Sequence, residues 1–171
     1  MSQPTAWFER KFAFPLSIEV YPSVVERLSS AADRLAEEVS SVGTSLMKKP
    51  QGRWSIKEHV GHLGDIEPLW LARVEDYVQG RQQLTPTDLQ NKQTDEANHN
   101  ASEITDLLER FRARRMLLLH RLETLHPRQI TAMVEHPRMK LPMGIVDHLY
   151  FVAEHEDHHL AVIRAMRASP K

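Results

Sequence analysis

Ten histidines lie in this chain of 171 residues, and two of them are spaced for coordination chemistry. His155 and His159 stand four apart in an apolar-patterned stretch. At about 100° per residue they fall about 40° apart on a helix, on the side marked by Phe151, Val152, Val162 and Met166. Side chains at i and i+4 are surface neighbours, so two imidazoles there can converge on one divalent ion. The competing reading is a pair of core histidines satisfied by hydrogen bonds. The run His155-Glu156-Asp157-His158-His159 also spells HExxH, the zinc-protease pattern in which the Glu activates water. That chemistry needs a downstream third ligand. The 12 residues after His159 contain no His, Asp or Glu, and the sequence shows no sheet edge on which to lay a peptide. A third ligand has to come from upstream, where His59 and His62 sit within and at the edge of another apolar stripe. Periodicity does not choose between them.

Other residues could serve such a site. Asp65 could orient His62 or His59 by accepting from the ring nitrogen that does not bind metal. Glu156 is the nearest general base in sequence, but it points about 100° away from His155 and reads first as a solvated rim charge. His59 or His158 as a fourth ligand would close the site and make it structural; a catalytic site keeps an open position. Arg112 and Arg115 lie on the apolar side of their helix, where a charged head either snorkels to solvent or meets an anion, and Arg73 shares that ambiguity. His148 reads as core lining or a substrate contact.

These residues require helices to hold them. Val25, Leu28, Ala32, Leu35, Val39 and Val42 recur in steps of three and four, which predicts a first helix opened by Pro22 and a Ser23–Glu26 capping box and ended near Gly43. Ser55 with Glu58 forms a second box ahead of Ile56, Leu63, Ile66, Leu69, Trp70, Val74 and Tyr77; Pro68 lies inside this helix and should bend it beyond His62. Residues 81–99 are polar and patternless, with at most a short helix after Pro86. Asn100 and Glu103 suit the start of a third helix carrying Ile104, Leu108, Phe111, Leu118, Leu122 and Leu125. The stretch 126–141 reads as a loop, and Pro142 as the first turn of a fourth helix bearing Ile145, Phe151, Val152, Ile163 and Met166. Strand signals are nearly absent. The expectation is an all-α protein, one four-helix bundle domain over 1–171.

Composition narrows the function. An apolar share of 41% and a charged share of 26% are ordinary for a globular chain. The 22 Lys and Arg against 23 acidic residues give no field to attract nucleic acid or an anionic membrane. There is no Cys, so any thiol chemistry needs an external thiol. No apolar run approaches the roughly 20 residues of a membrane span, and the polar start lacks a signal-peptide core, which makes the cytoplasm the expected compartment.

The run Trp54-Ser55-Ile56-Lys57-Glu58-His59-Val60-Gly61-His62-Leu63, followed by Asp65, Glu67 and Trp70, resembles the second helix of the DinB/YfiT-like superfamily of metal-dependent bundles. Phe151 to Leu160 is similar to its last-helix motif, with two ligand histidines four apart, and Trp7 to Phe12 and Glu96 to Asn100 resemble one branch of the family. The resemblance implies a four-helix bundle, commonly a homodimer, with His62 rather than His59 joining His155 and His159. It implies one divalent ion, Zn or Ni first and Mn or Fe next, and a small-molecule substrate. Family members include transferases and isomerases using bacillithiol, mycothiol or glutathione. A metal-dependent hydrolase or thiol transferase is therefore expected; the alternative is a non-catalytic stress-response bundle with a structural metal.

Overall fold

A computed structural model describes residues 5–43 and 48–168; the ends of the expected 1–171 domain lie outside them. Four long helices form the bundle: α1 Tyr21–Ser40, α2 Ile56–Val78, α4 Ile104–Glu123 and α6 Ile145–Ala168, with short helices α3 Lys92–Glu96 and α5 Pro127–Ile130 in the connections. α2 packs along α4, α1 lies against α6 and α4, and α2 also meets α6. Among the described residues no helix is long and apolar enough to cross a membrane.

The helix starts show which sequence signals act locally. The Ser55–Glu58 box forms in both directions at the head of α2, and Glu58 is further held by Lys49 at 2.6 Å. The Ser23–Glu26 box does not form. A 3-10 turn, Ile18–Val20, runs directly into α1, so Ser23 is already helical and its hydroxyl donates back to Val20 O at 2.9 Å. Asn100 does not cap α4 either; its side chain accepts from Ser55 Oγ at 2.6 Å and ties that connection to the head of α2. α1 stops at Ser40, short of Gly43.

The segment expected to be loop contains a small antiparallel hairpin, β1 Met133–Glu135 and β2 Pro142–Gly144, with Val134 opposite Met143. Both of those side chains are buried. Pro142 is therefore a strand residue, and α6 begins at Ile145. Three residues per strand are too few to show alternation in sequence. Tyr77 Oη donates to Met143 O at 3.1 Å, and Asp147 Oδ2 accepts from Gly144 N at 2.8 Å, fastening the hairpin to α2 and α6.

The apolar interior is two clusters. One includes Leu28, Trp70, Val74, Leu118, Leu149 and Val152; the other includes Leu35, Ile56, Val60, Leu63, Phe111, Leu160 and Ile163. In sequence, Glu67 falls between Leu63 and Trp70, Arg115 between Phe111 and Leu118, and Glu156 between Val152 and Leu160. These three buried residues form a polar layer between the clusters. The histidines sit at the same level of α6.

Candidate metal centre

His155 and His159 project from α6 and His62 from α2, all buried. One ring nitrogen of each lies within 4.8 Å of the others. His155 Nε2 is 3.4 Å from His62 Nε2 and 3.2 Å from His159 Nε2. Ligands about 2.1 Å from a tetrahedral metal are about 3.4 Å from each other, so this spacing suits one ion. The rings also suit it electrically. Burial pushes His62 down to about 3, with repulsion from His59 and His99 adding to it. His155 and His159 are pushed well below the ordinary imidazole value, again by burial first and then by neighbouring rings. Three neutral imidazoles with converging lone pairs are a donor set, and a poor one for mutual hydrogen bonding.

The far side of each ring shows how it is aimed. A chain of partners runs from His62 Nδ1 to Thr94 Oγ1 at 3.0 Å, from Thr94 Oγ1 to Asp65 Oδ2 at 3.4 Å, and from His99 Nε2 to the same carboxylate oxygen at 2.7 Å. Arg110 donates to His99 Nδ1 at 3.1 Å. One proton assignment satisfies every link: His99 donates through Nε2, Thr94 donates to Asp65, and His62 donates through Nδ1, which leaves its Nε2 lone pair free. His159 Nδ1 lies 2.9 Å from His59 Nδ1; with His159 as the donor of that pair, its Nε2 lone pair is likewise free. His155 Nδ1 is buried without a partner.

Several expectations need correction. His62 is buried and His59 only half-buried, the reverse of their expected depths. His59 supports the back of the His159 ring, and neither it nor His158 joins the three converging nitrogens. Asp65 acts on His62 through Thr94. Glu156 is 1% exposed and is neither a rim charge nor turned to the histidines. It pairs with Arg115, which also grips Glu67 through Nε at 3.0 Å and Nη2 at 2.6 Å and donates to Leu28 O at 2.8 Å. Burial raises the Glu156 carboxyl, and the Arg115 charge opposes that rise. Arg115 therefore does not snorkel. Arg112 does, reaching Asp33 at 2.7 Å. His148 is fully buried against Trp70 and Tyr77.

The triad opens on a cleft of about 120 Å³. Trp7 packs edge-on over His155 at 5.0 Å, and Trp54 flanks His62 at 4.8 Å. Thr87, Asp88 and Asn91 line another wall, and Arg73, His136 and Arg138 the far end. Thr94, His99 and His136 escaped sequence reasoning because they stand in segments without periodicity; only the Glu96 to Asn100 likeness touched one of them.

The sequence profile of the DinB superfamily matches residues 21–163. The chain belongs to the DinB superfamily. No curated protein matches it. Among solved structures, this DinB chain resembles YfiT from Bacillus subtilis, described as a probable metal-dependent hydrolase with an unusual four-helix bundle topology, at a TM-score of 0.79 and 19% identity, covering 94% of this chain and 93% of that one. It also resembles the mycothiol-dependent maleylpyruvate isomerase at a TM-score of 0.66 and 9% identity, covering 94% of this chain and 63% of the other. At these identities the likeness establishes the DinB four-helix bundle.

Proposed function

We propose that this DinB protein holds one divalent metal ion on His62, His155 and His159 and is an enzyme acting on a small molecule in the adjoining cleft. The carrying observation is the convergence of three neutral imidazoles, each buried, on the wall of an open cleft, with no fourth protein ligand among the described residues. A three-ligand site with an open position has the form of a catalytic centre. A divalent ion there supplies Lewis acidity, which makes water or an external thiol a better nucleophile at neutral pH.

The chain's own contribution is orientation and exclusion. Thr94, Asp65 and His99 fix the His62 ring, His59 fixes His159, and Trp7 and Trp54 keep bulk water from the rings. Carboxylates are turned elsewhere: Glu156 to Arg115, and Asp88 to the backbone N–H groups of Gln90 and Lys92 at 2.9 and 2.7 Å. Hydrolysis and thiol transfer are the two reactions this arrangement suits; of the similar solved structures, one is described as a probable metal-dependent hydrolase and the other as a mycothiol-dependent isomerase. The test is to load untagged protein with Zn or Ni and assay loss of bacillithiol, mycothiol or glutathione against a panel of electrophiles, alongside ester and amide hydrolysis. Metal-dependent turnover in either arm supports the reading. Full metal loading with no turnover in both arms would favour a structural ion.

A further inference from the structure

Arg73 projects from α2 at the other end of the cleft, three helical turns beyond His62. It is 1% exposed. Its Nε donates to Thr85 O at 2.9 Å, and its Cζ lies 5.4 Å from the Trp70 ring centre. Nη2 is buried with no partner. Among the described residues no carboxylate lies within ion-pair distance of it; Asp76, which adds a favourable charge at longer range, accepts from Thr85 N. Burial lowers the guanidinium to about 10, so it stays charged at neutral pH. A buried arginine without a counterion is costly, and Arg115 with its two carboxylates shows how the same chain satisfies one elsewhere.

The neighbours of Arg73 add to the imbalance. Arg138, in the β1–β2 turn, lines the same cleft and has no ion pair among the described residues; its Cζ lies 5.1 Å from the Phe8 ring. Between the two arginines, His136 Nδ1 accepts from the backbone N–H groups of Arg138 and Met139, each at 3.2 Å. Burial and the two arginines push His136 down to about 3, so the ring is neutral and carries one proton. With Nδ1 accepting, that proton is on Nε2. Nε2 lies 3.3 Å from Arg73 Nη1, so a donor faces a donor. An oxyanion between them would accept from both, and from the unpartnered Nη2.

We propose that Arg73, with His136 Nε2 and Arg138, forms a subsite for a carboxylate, so that the ligand of this cleft is a small acid with a flat apolar body. A carboxylate matches the planar guanidinium fork, and Trp7, Phe8, Trp70 and Phe151 on the cleft walls suit an unsaturated or aromatic body. The Trp70 ring stands 5.7 Å from the His155 ring and 5.4 Å from Arg73 Cζ. An acid anchored at Arg73 would therefore present its other end, one indole ring away, to the histidines. This last consequence rests on the metal-dependent reading above; the subsite itself does not.

The experiment is a titration of metal-free protein with benzoate, benzamide and inorganic phosphate, followed by tryptophan fluorescence and calorimetry. Benzoate should bind about tenfold or more tightly than its neutral isostere benzamide, the margin expected from charge-assisted hydrogen bonds. Arg73→Gln should lose about tenfold or more of the benzoate affinity while metal uptake at the histidines is unchanged. Equal binding of benzoate and benzamide, tighter binding of phosphate, or undiminished benzoate binding by Arg73→Gln would overturn the proposal. Should Arg73→Gln fail to fold, the benzoate and benzamide comparison on the unaltered protein decides alone. Because no metal is present, a failure of the metal reading leaves this result intact.

Discussion

Two buried polar clusters flank α6 at one level, and they are opposite in kind. On one side, Arg115 meets Glu67 and Glu156 and a backbone carbonyl, with only Glu156 Oε2 left unpartnered. On the other, His62, His155 and His159 turn lone pairs toward one another, while two of their outer nitrogens are held from behind. The first cluster is closed by the chain itself and does not line the cleft on which the histidines open. The second has the geometry of a donor set, three ring nitrogens within 4.8 Å of one another. Adjacent residues His155 and Glu156 belong to different clusters, which teaches that burial and polarity do not mark a site; the state of the partners does.

The largest expected effect separates the clusters outright. His155→Ala, His159→Ala and His62→Ala should each abolish uptake of the one ion per chain, measured by elemental analysis of untagged protein, while helical circular dichroism is retained because the apolar clusters remain. Normal metal content in these variants would remove the site. Arg115→Ala should do the converse. It strands two carboxylates, at a cost of about 3–5 kcal/mol in urea unfolding, yet the fraction still folded should bind metal; an unchanged urea midpoint would show that the layer is not an ion-paired support. A smaller effect is expected behind the rings. Thr94→Val and His59→Ala should weaken metal binding by roughly 10–100-fold without emptying the site, the usual cost of losing an outer partner, and competition with a chromogenic chelator measures it. If His59→Ala empties the site and His62→Ala does not, the ligand assignment is reversed.

The mildest perturbation is protons. His62 and His59 are held at about 3 and about 4 in the fold, against 6.5 unperturbed. Above pH 6.5 both are neutral in the folded and unfolded chain and contribute no slope. Below it the unfolded chain takes up protons that the fold refuses, so stability of metal-free protein falls, by up to about 1.4 kcal/mol per pH unit for each ring, until the folded values are reached. Bound metal, which needs neutral rings, should hold the protein stable to lower pH until protons displace it. Unfolding midpoints measured from pH 7.5 to 4 with and without metal test this; curves that rise toward acid would contradict it.

The sequence made the four long helices legible because each carries an apolar stripe, and the Ser55–Glu58 box was legible because both partners are local. Capping at Ser23 and Asn100 was misread because their hydroxyl and amide are used by turns whose geometry depends on residues before Tyr21 and at Ser55. Glu156 was misread for a different reason. Periodicity marks a narrow buried face around the histidines, whereas the buried residues Val152, Ala153, His155, Glu156, His159 and Leu160 span an arc of about 160° that takes in Glu156. The spacing of His155 and His159 could be read directly. The support of His62 could not, since Thr94 and His99 arrive from a polar connection.

Gly61 sits beside His62 in mid-helix, where glycine costs about 0.5–1 kcal/mol relative to Ala. A Cβ there would lie 2.4 Å from the His99 ring, which is itself tied to Asp65 and Arg110. The α2 backbone thus serves as a stop against which the support of its own next side chain is seated. The consequence is mechanical: the missing methyl group at position 61 lets the His99 ring seat against α2, and with it the Asp65 and Thr94 links that hold the His62 ring from behind.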